Sequence, residues 1–91
     1  MTTEEKEILK KRFGGTIQEV RKKKRFSLRQ VAANCNLDNS KIAKIEDGQF
    51  NISLSTIVEL ARGLEVHPSN LFVGEFWLIW HSVKREIVWI S

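Results

Sequence analysis

The sequence of 91 residues contains few of the residues that interrupt or cross-link a chain: one proline, one cysteine and five glycines. A single cysteine cannot form an internal disulfide and is too few for a structural zinc site, so we expect Cys35 to be a small buried hydrophobic residue. The scarcity of proline and glycine argues against a disordered or all-β chain. With 42% hydrophobic residues, the composition predicts one compact domain of short helices.

Long apolar runs and catalytic motifs are also missing. The run from Phe76 to Trp80 is much shorter than the ~20 residues that cross a bilayer, and the charged N-terminus is unlike a signal peptide, so a reducing cytoplasm is the expected location. The sequence has no carboxylate pair, no nucleophile beside a base and no glycine-rich phosphate loop, and His67 and His81 are isolated. We therefore expect neither an enzyme nor a metal or cofactor site.

Positive charge is concentrated in the first third of the chain. Residues 1–26 hold nine Lys and Arg against four Glu, whereas residues 27–72 hold four basic and five acidic residues. The densest run is Arg21-Lys22-Lys23-Lys24-Arg25. Such a cluster can neutralise phosphates and release their counterions. It can equally complement the negative end of a helix dipole, and the charge pattern alone does not decide between the two roles.

The first segment predicts a helix that starts with a capping box. Thr2 and Glu5 have the spacing of that motif, and apolar residues then recur at helical intervals. Gly14-Gly15 interrupts the segment, which leaves open whether it forms one helix or two. The helix is expected to end in the basic run before Phe26.

Four further helices are predicted from caps and apolar periodicity. Ser27 and Asp38 are expected to cap two short helices that form a helix-turn-helix. For Asn36, in the turn between them, we expect a left-handed backbone. Ser53 is expected to cap a fourth helix, and Pro68 to begin a short fifth one.

Residues 27–48, SLRQVAANCNLDNSKIAKIEDG, resemble the helix-turn-helix of the Cro/phage-repressor family, often called the xenobiotic-response-element family. The family's pattern is a serine, an alanine five residues later, a turn and a final Ile-x-x-Ile-Glu-x-Gly. The corresponding residues are Ser27, Ala32, Ile42, Ile45, Glu46 and Gly48. The resemblance extends from about Phe13 to Phe72. It implies an all-α, five-helix lambda-repressor-like DNA-binding domain over residues 1–72, followed by an apolar C-terminal extension.

Three positions depart from the family's pattern. Leu28 replaces a glutamine that often contacts a phosphate, so this contact is absent or is supplied by Arg29 or Gln30. Arg25 replaces a glycine in the turn before the second helix. Because a left-handed arginine costs about 1–2 kcal/mol, we expect this loop to be rearranged. Asn36 replaces the glycine of the inter-helix turn, which is a mild change.

The resemblance also assigns DNA contacts, although on periodicity alone the same polar residues indicate only a solvated helix face. The third helix is expected to lie in the major groove of double-stranded DNA. The expected base contacts are Asn39, Ser40, Lys41 and Lys44. The expected phosphate contacts are Ser27, Arg29, Gln30, Gln49 and Asn51. The family's pairing of helix 1 with the Ile-Glu motif implies a structural ion pair between Arg21 and Glu46.

Residues 73–91 contain all three tryptophans and two runs, 76–80 and 87–90, that are too apolar to face water. Their spacing fits one helical stripe or two strands around residues 81–86. Because tryptophan is favoured in interface hot spots, we expect this extension to dimerise rather than to pack on the chain's own core or to be foreign to the native protein. The expected interface residues are Phe76, Trp77, Trp80, Val83, Ile87, Trp89 and Ile90.

The favoured function is therefore a homodimeric transcriptional repressor that binds double-stranded DNA without a cofactor and away from any membrane. An antitoxin or a restriction-modification controller would share the same residues and could have a cognate protein partner. A protein-interaction module would use the same scaffold without DNA. Leu28 and the nearly balanced charge of residues 27–72 keep this last alternative open.

Overall fold

The computed structural model describes residues 1–72, and residues 73–91 lie outside the described part. Within the described range all regular secondary structure is helical. Its elements are α1 (Thr3–Lys23), α2 (Leu28–Ala33), α3 (Asn39–Glu46), α4 (Leu54–Leu64) and a 3₁₀ helix (Pro68–Phe72). The all-α prediction is confirmed for these residues, but only four of the five expected helices are α-helices. None of the described helices combines the length and the hydrophobicity that a membrane span needs.

The segment predicted as the fifth helix is 3₁₀ and spans five residues, Pro68–Phe72. The Asn70 amide donates to the carbonyl of His67 at 2.9 Å, which is the i to i+3 bond of this tighter helix. The ring of His67 caps the turn, because its Nδ1 accepts from the Ser69 amide at 3.1 Å.

Helix α1 is continuous through Gly14-Gly15, which settles the question that the sequence leaves open. It runs for 21 residues, and Thr2 and Glu5 form the predicted capping box at its start. Gly14 is where α1 passes closest to α3. A Cβ atom on Gly14 would lie 2.3 Å from the carbonyl oxygen of Ile45, a separation that real side chains do not reach. Gly14 thus serves helix packing rather than a break in the helix.

The core lies between the four α-helices and the 3₁₀ helix, each of which contributes at least one buried residue. Its buried hydrophobic residues are Phe13, Ile17, Val31, Ile42, Ile45, Leu60, Ala61, Leu64 and Leu71. Cys35 packs against this cluster as a small hydrophobic residue but is only half-buried, so the prediction of a buried cysteine holds only in part. It lies two residues beyond the end of α2, and its Sγ lies 3.3 Å from the Val31 carbonyl oxygen.

Three helices end with a residue in the left-handed conformation, and only one of these residues is glycine. They are Arg25 after α1 (φ 60°), Gly48 after α3 (φ 76°) and Glu65 after α4 (φ 60°). After α1, the amide of Arg25 donates to the Lys22 carbonyl and the amide of Phe26 donates to the Arg21 carbonyl, each at 3.0 Å. This is a Schellman motif, which satisfies the last carbonyls of the helix.

Two expectations about turns are therefore wrong. The loop at Arg25 is not rearranged, because its backbone hydrogen bonds require the left-handed conformation that glycine would adopt more easily. Asn36 does not adopt a positive φ. Instead, the backbone amide of Asn36 donates to the Glu59 carboxylate at 3.0 Å, so a side chain from α4 holds the turn between α2 and α3.

Candidate nucleic-acid interface

Two buried isoleucines anchor one face of helix α3 in the core. Ile42 and Ile45 are 0% and 1% exposed, so one face of the helix is fixed in the core. Asp38 caps the N-terminus as predicted, because its Oδ1 accepts from the backbone amide of Lys41 at 2.7 Å. An eight-residue helix anchored in this way presents its other face as a rigid surface.

The residues predicted to contact bases lie on that outward face. Asn39, Ser40 and Lys44 are exposed, and Lys41 is half-buried. The Nζ atoms of Lys41 and Lys44 each lie 6.0 Å from the centre of the Phe50 ring. The structure therefore places one side-chain amide, one hydroxyl and two ammonium groups along one face of a short helix.

Helix α2 packs closely against α4. A Cβ atom added to Gly63 would lie 2.8 Å from Val31 Cγ1 and 3.0 Å from Cys35 Sγ, so only glycine permits this approach. The side-chain amide nitrogen of Asn34 donates to the Glu65 carboxylate at 3.2 Å. This hydrogen bond also joins the end of α2 to the end of α4. These contacts fix α2 relative to α4.

The five residues predicted to contact phosphate are exposed, but their side chains differ in availability. Ser27 and Gln30 form a capping box. The backbone amide of Ser27 donates to Gln30 Oε1 at 2.6 Å, and the backbone amide of Gln30 donates to Ser27 Oγ at 3.1 Å. The side-chain amide nitrogen of Gln49 donates to the Asp47 carboxylate at 2.6 Å. Arg29 and Asn51 are exposed. Arg29 therefore offers the least constrained cation at the start of α2.

Arg21 and Glu46, which the family resemblance pairs, contact each other through two hydrogen bonds. Arg21 Nε lies 2.6 Å from Glu46 Oε2, and Nη2 lies 3.0 Å from Oε1. The two side chains are only 13% and 6% exposed. The hydrogen bonds that Arg21 donates to Glu46 raise the pKa of the Arg21 guanidinium, so its charge is retained across the physiological range.

This ion pair links three elements, because Arg21 Nη1 also donates to the Phe26 carbonyl at 3.0 Å. It joins α1, the loop before α2 and the end of α3. Other cations of the basic run also have partners. Lys24 donates to the Glu65 carbonyl at 3.0 Å, and Lys23 lies 3.9 Å from Glu19. Three of the five cations in the basic run, Arg21, Lys23 and Lys24, therefore interact with groups of the chain itself, so the positive charge of the run is partly compensated within the domain.

An open cleft lies beside α3, and its lining includes residues that sequence reasoning missed. Gln18 of α1 and Asp47 line it together with Leu28, Lys44 and Gln49. No pattern in the sequence assigns Gln18 to this surface, because it is brought there from α1 by the fold. Asp47 follows the Ile-Glu motif directly, so its position could have marked it as an acidic residue near the proposed phosphate contacts.

The capped and exposed α3, joined to α2 by a short turn, defines a helix-turn-helix protein. The chain matches the family described as Helix-turn-helix over residues 17–71, which is more than half of its length, and it belongs to that family. The resemblance drawn from residues 27–48 is thereby confirmed.

The relatives of this chain include a control protein and a repressor. Control protein C.MunI of Mycoplasma sp is 35% identical over 65 residues, which are 70% of this chain and 88% of C.MunI. The immunity repressor protein of Bacillus phage phi105 is 38% identical over 66 residues, which are 72% of this chain and 45% of the repressor. The crystal structure of the restriction-modification controller protein C.AhdI from Aeromonas hydrophila has a TM-score of 0.65 and 37% identity, covering 68% of this chain and 94% of C.AhdI.

Proposed function

We propose that this chain is a sequence-specific regulator of transcription that binds double-stranded DNA as a dimer and acts as a repressor in the cytoplasm. The observation that carries the proposal is the geometry of α3: two buried isoleucines fix one face, and the opposite face presents Asn39, Ser40 and Lys44 to solvent. Membership of the helix-turn-helix family and the names of the relatives, a control protein and a repressor among them, support it.

In this function α3 lies in the major groove. Asn39 can donate to and accept from one adenine, and Lys41 and Lys44 can donate to the acceptors of guanine. Ser40 can bond to either kind of base. Asp38 is occupied by the helix N-terminus, so it is not assigned to a base.

Phosphate contacts fix the register of the protein on DNA. The start of α2 supplies backbone amides and the exposed guanidinium of Arg29, beside the capping box of Ser27 and Gln30. Asn51 and Gln49 lie after α3. Arg21 is assigned to the ion pair with Glu46 and not to DNA.

The two kinds of contact are separated by titrating DNA at several salt concentrations. Arg29→Gln is expected to weaken binding to every DNA and to reduce the slope of log K against log salt by about 1, because one fewer counterion is released. Lys41→Gln is expected to reduce the preference for the best site by about 1–3 kcal/mol.

Arg62→Gln is the matched control for Arg29→Gln, since Arg62 is an exposed arginine on α4, 3.7 Å from Glu59. Its salt slope is expected to stay close to that of the unmodified chain. An unchanged slope for Arg29→Gln would contradict the assignment of Arg29 to phosphate.

Within this function, a restriction-modification controller is the second candidate. It is favoured by the extent of the likeness: the matched region covers 88% of C.MunI and 94% of C.AhdI, but 45% of the phage repressor. Sequencing of the genomic fragments that the chain binds tests this candidate. A controller is expected to recover a promoter beside a restriction gene, and recovery of unrelated promoters alone would exclude it.

The division of the chain follows the same proposal. Residues 1–72 form the DNA-binding domain, with the helix-turn-helix motif at 27–48, and residues 73–91 form a dimerisation segment. The predicted interface residues, Phe76, Trp77, Trp80, Val83, Ile87, Trp89 and Ile90, lie outside the described residues. The support for dimerisation is the concentration of all three tryptophans in this segment.

A further inference from the structure

Phe50 lies close to both lysines of the proposed recognition surface. It follows α3 by only a few residues and packs, half-buried, against the hydrophobic core. Its ring centre lies 6.0 Å from Lys41 Nζ and 6.0 Å from Lys44 Nζ. One anchored aromatic ring is thus within cation–π distance of two cations.

Two properties of lysine make this contact relevant to DNA recognition. The ammonium group sits on a flexible four-carbon stem, and a mobile cation attracts any phosphate without favouring one base. Lys41 and Lys44 are also three residues apart on a helix, where like charges repel each other. The negative face of an aromatic ring attracts both ammonium groups and reduces the range of positions that they sample.

We propose that Phe50 is a specificity-determining residue that positions Lys41 and Lys44 as a pair of donors to neighbouring guanines. The ring acts through the lysines and does not itself contact DNA. The core contact of Phe50 keeps the ring in place, so the lysines are oriented before DNA arrives. This inference rests on the proposed function, because it concerns the base contacts of the same α3 surface.

The test compares Phe50→Leu with the unmodified chain on a selected DNA site and on variants of that site with single guanines replaced. Leucine keeps an apolar side chain against the core but has no ring face. Discrimination between the selected and substituted sites is expected to fall roughly threefold to tenfold. Affinity for random DNA is expected to change little, because both positive charges remain. Phe50→Tyr keeps the ring and is expected to restore discrimination.

Phe26→Leu is the matched control. Phe26 is also half-buried against the core and has a lysine, Lys24, with its Nζ 5.8 Å from the ring centre, but it has no recognition lysine beside it. Its replacement is expected to change stability and to leave base discrimination unaltered. If Phe50→Leu does not fold, a trifluorinated phenylalanine at position 50 keeps the ring's shape while removing the negative charge of its face, and the same loss of discrimination is expected.

The outcomes separate the inference from the proposed function. If the unmodified chain selects no DNA site, the proposed function fails. If it selects a site and the folded Phe50→Leu protein, or the fluorinated protein, discriminates as well as the unmodified chain, then Phe50 does not position the lysines. A loss of affinity that is equal for all DNA would also overturn the inference, since it would indicate a structural effect alone.

Discussion

Arg25 adopts a backbone conformation that glycine would adopt at lower cost. Its φ of 60° is imposed by the hydrogen bonds that close α1, and its side chain is exposed. A non-glycine residue in this conformation costs about 1 kcal/mol or more. The stability of the domain therefore includes a local strain that one substitution can remove.

Arg25→Gly is expected to raise the free energy of unfolding by roughly 0.5–1 kcal/mol, since part of the gain is offset by the greater freedom of glycine in the unfolded chain. Arg25→Ala is the control, because alanine removes the same charged side chain but retains the strain. Urea denaturation measures both variants. Equal stability of the two would show that the left-handed backbone is not the source of the gain.

Asp47 is an acidic residue on the surface that is proposed to meet DNA. It lines the same cleft as Lys44, and its carboxylate accepts from the amide nitrogen of Gln49 at 2.6 Å. A carboxylate at this place repels phosphates and holds a proposed phosphate donor.

Asp47→Asn is therefore expected to tighten DNA binding about threefold to tenfold at low salt, with a smaller gain at high salt because screening weakens the repulsion. Affinity is measured by fluorescence anisotropy at two or more salt concentrations. Glu4→Gln, which removes an exposed charge in the first turn of α1 and outside the cleft, is expected to have little effect. Unchanged or weaker binding by Asp47→Asn would show that Asp47 does not repel the phosphates of bound DNA.

Helix α1 shows that two adjacent glycines can have opposite roles. Gly14 is buried against α3, whereas a Cβ on Gly15 would have nothing within 4 Å. The first glycine permits the contact that holds α3, and the second only lowers the helix propensity of α1.

We expect Gly14→Ala to destabilise the domain by about 2 kcal/mol or more, because the added methyl group meets the Ile45 carbonyl oxygen at 2.3 Å and backbone cannot easily move. Gly15→Ala is expected to stabilise it by roughly 0.5–1 kcal/mol. Thermal denaturation of the pair measures both effects. Similar midpoints for the two variants would contradict the close packing of α1 on α3.

The elements could be predicted where their causes are local. Capping needs only a side chain and the three residues after it, so all four helix starts follow from the sequence. The capping residues are Thr2, Ser27, Asp38 and Ser53. Apolar periodicity likewise identifies Ile42 and Ile45 as the buried face of α3.

The remaining features depend on residues that are distant in the sequence. The turn at Asn36 is satisfied by Glu59 from α4, 23 positions later, so a local preference for positive φ is not needed there. Gln18 reaches the cleft beside α3 only because α1 packs across that helix. The DNA contacts themselves remain predictions, since they depend on a partner as well as on the fold.

On the scale of the whole molecule, a single α3 covers too few base pairs to select one site in a genome. A dimer places two such helices about one DNA turn, roughly 34 Å, apart and thereby doubles the sequence that is read. In the proposed function, residues 73–91 join two DNA-binding domains and so place their α3 helices in this arrangement.

Deletion of residues 75–91 is expected to give a soluble monomer that binds a two-half-site operator about 100-fold or more weakly, because the second helix no longer binds at high effective concentration. Sedimentation and operator titration measure the two properties. As a control, a leucine-zipper segment attached in place of the deleted residues is expected to restore affinity. A truncated chain that remains dimeric would remove the role assigned to the extension.

Selection of bound fragments from a random pool of double-stranded DNA measures whether the exposed face of α3 reads base sequence. We expect a recurring site made of two related half-sites, and loss of that site when Asn39 and Lys41 are both replaced by alanine. Recovery of fragments as diverse as the starting pool, from a folded and unmodified chain at physiological salt, would contradict it.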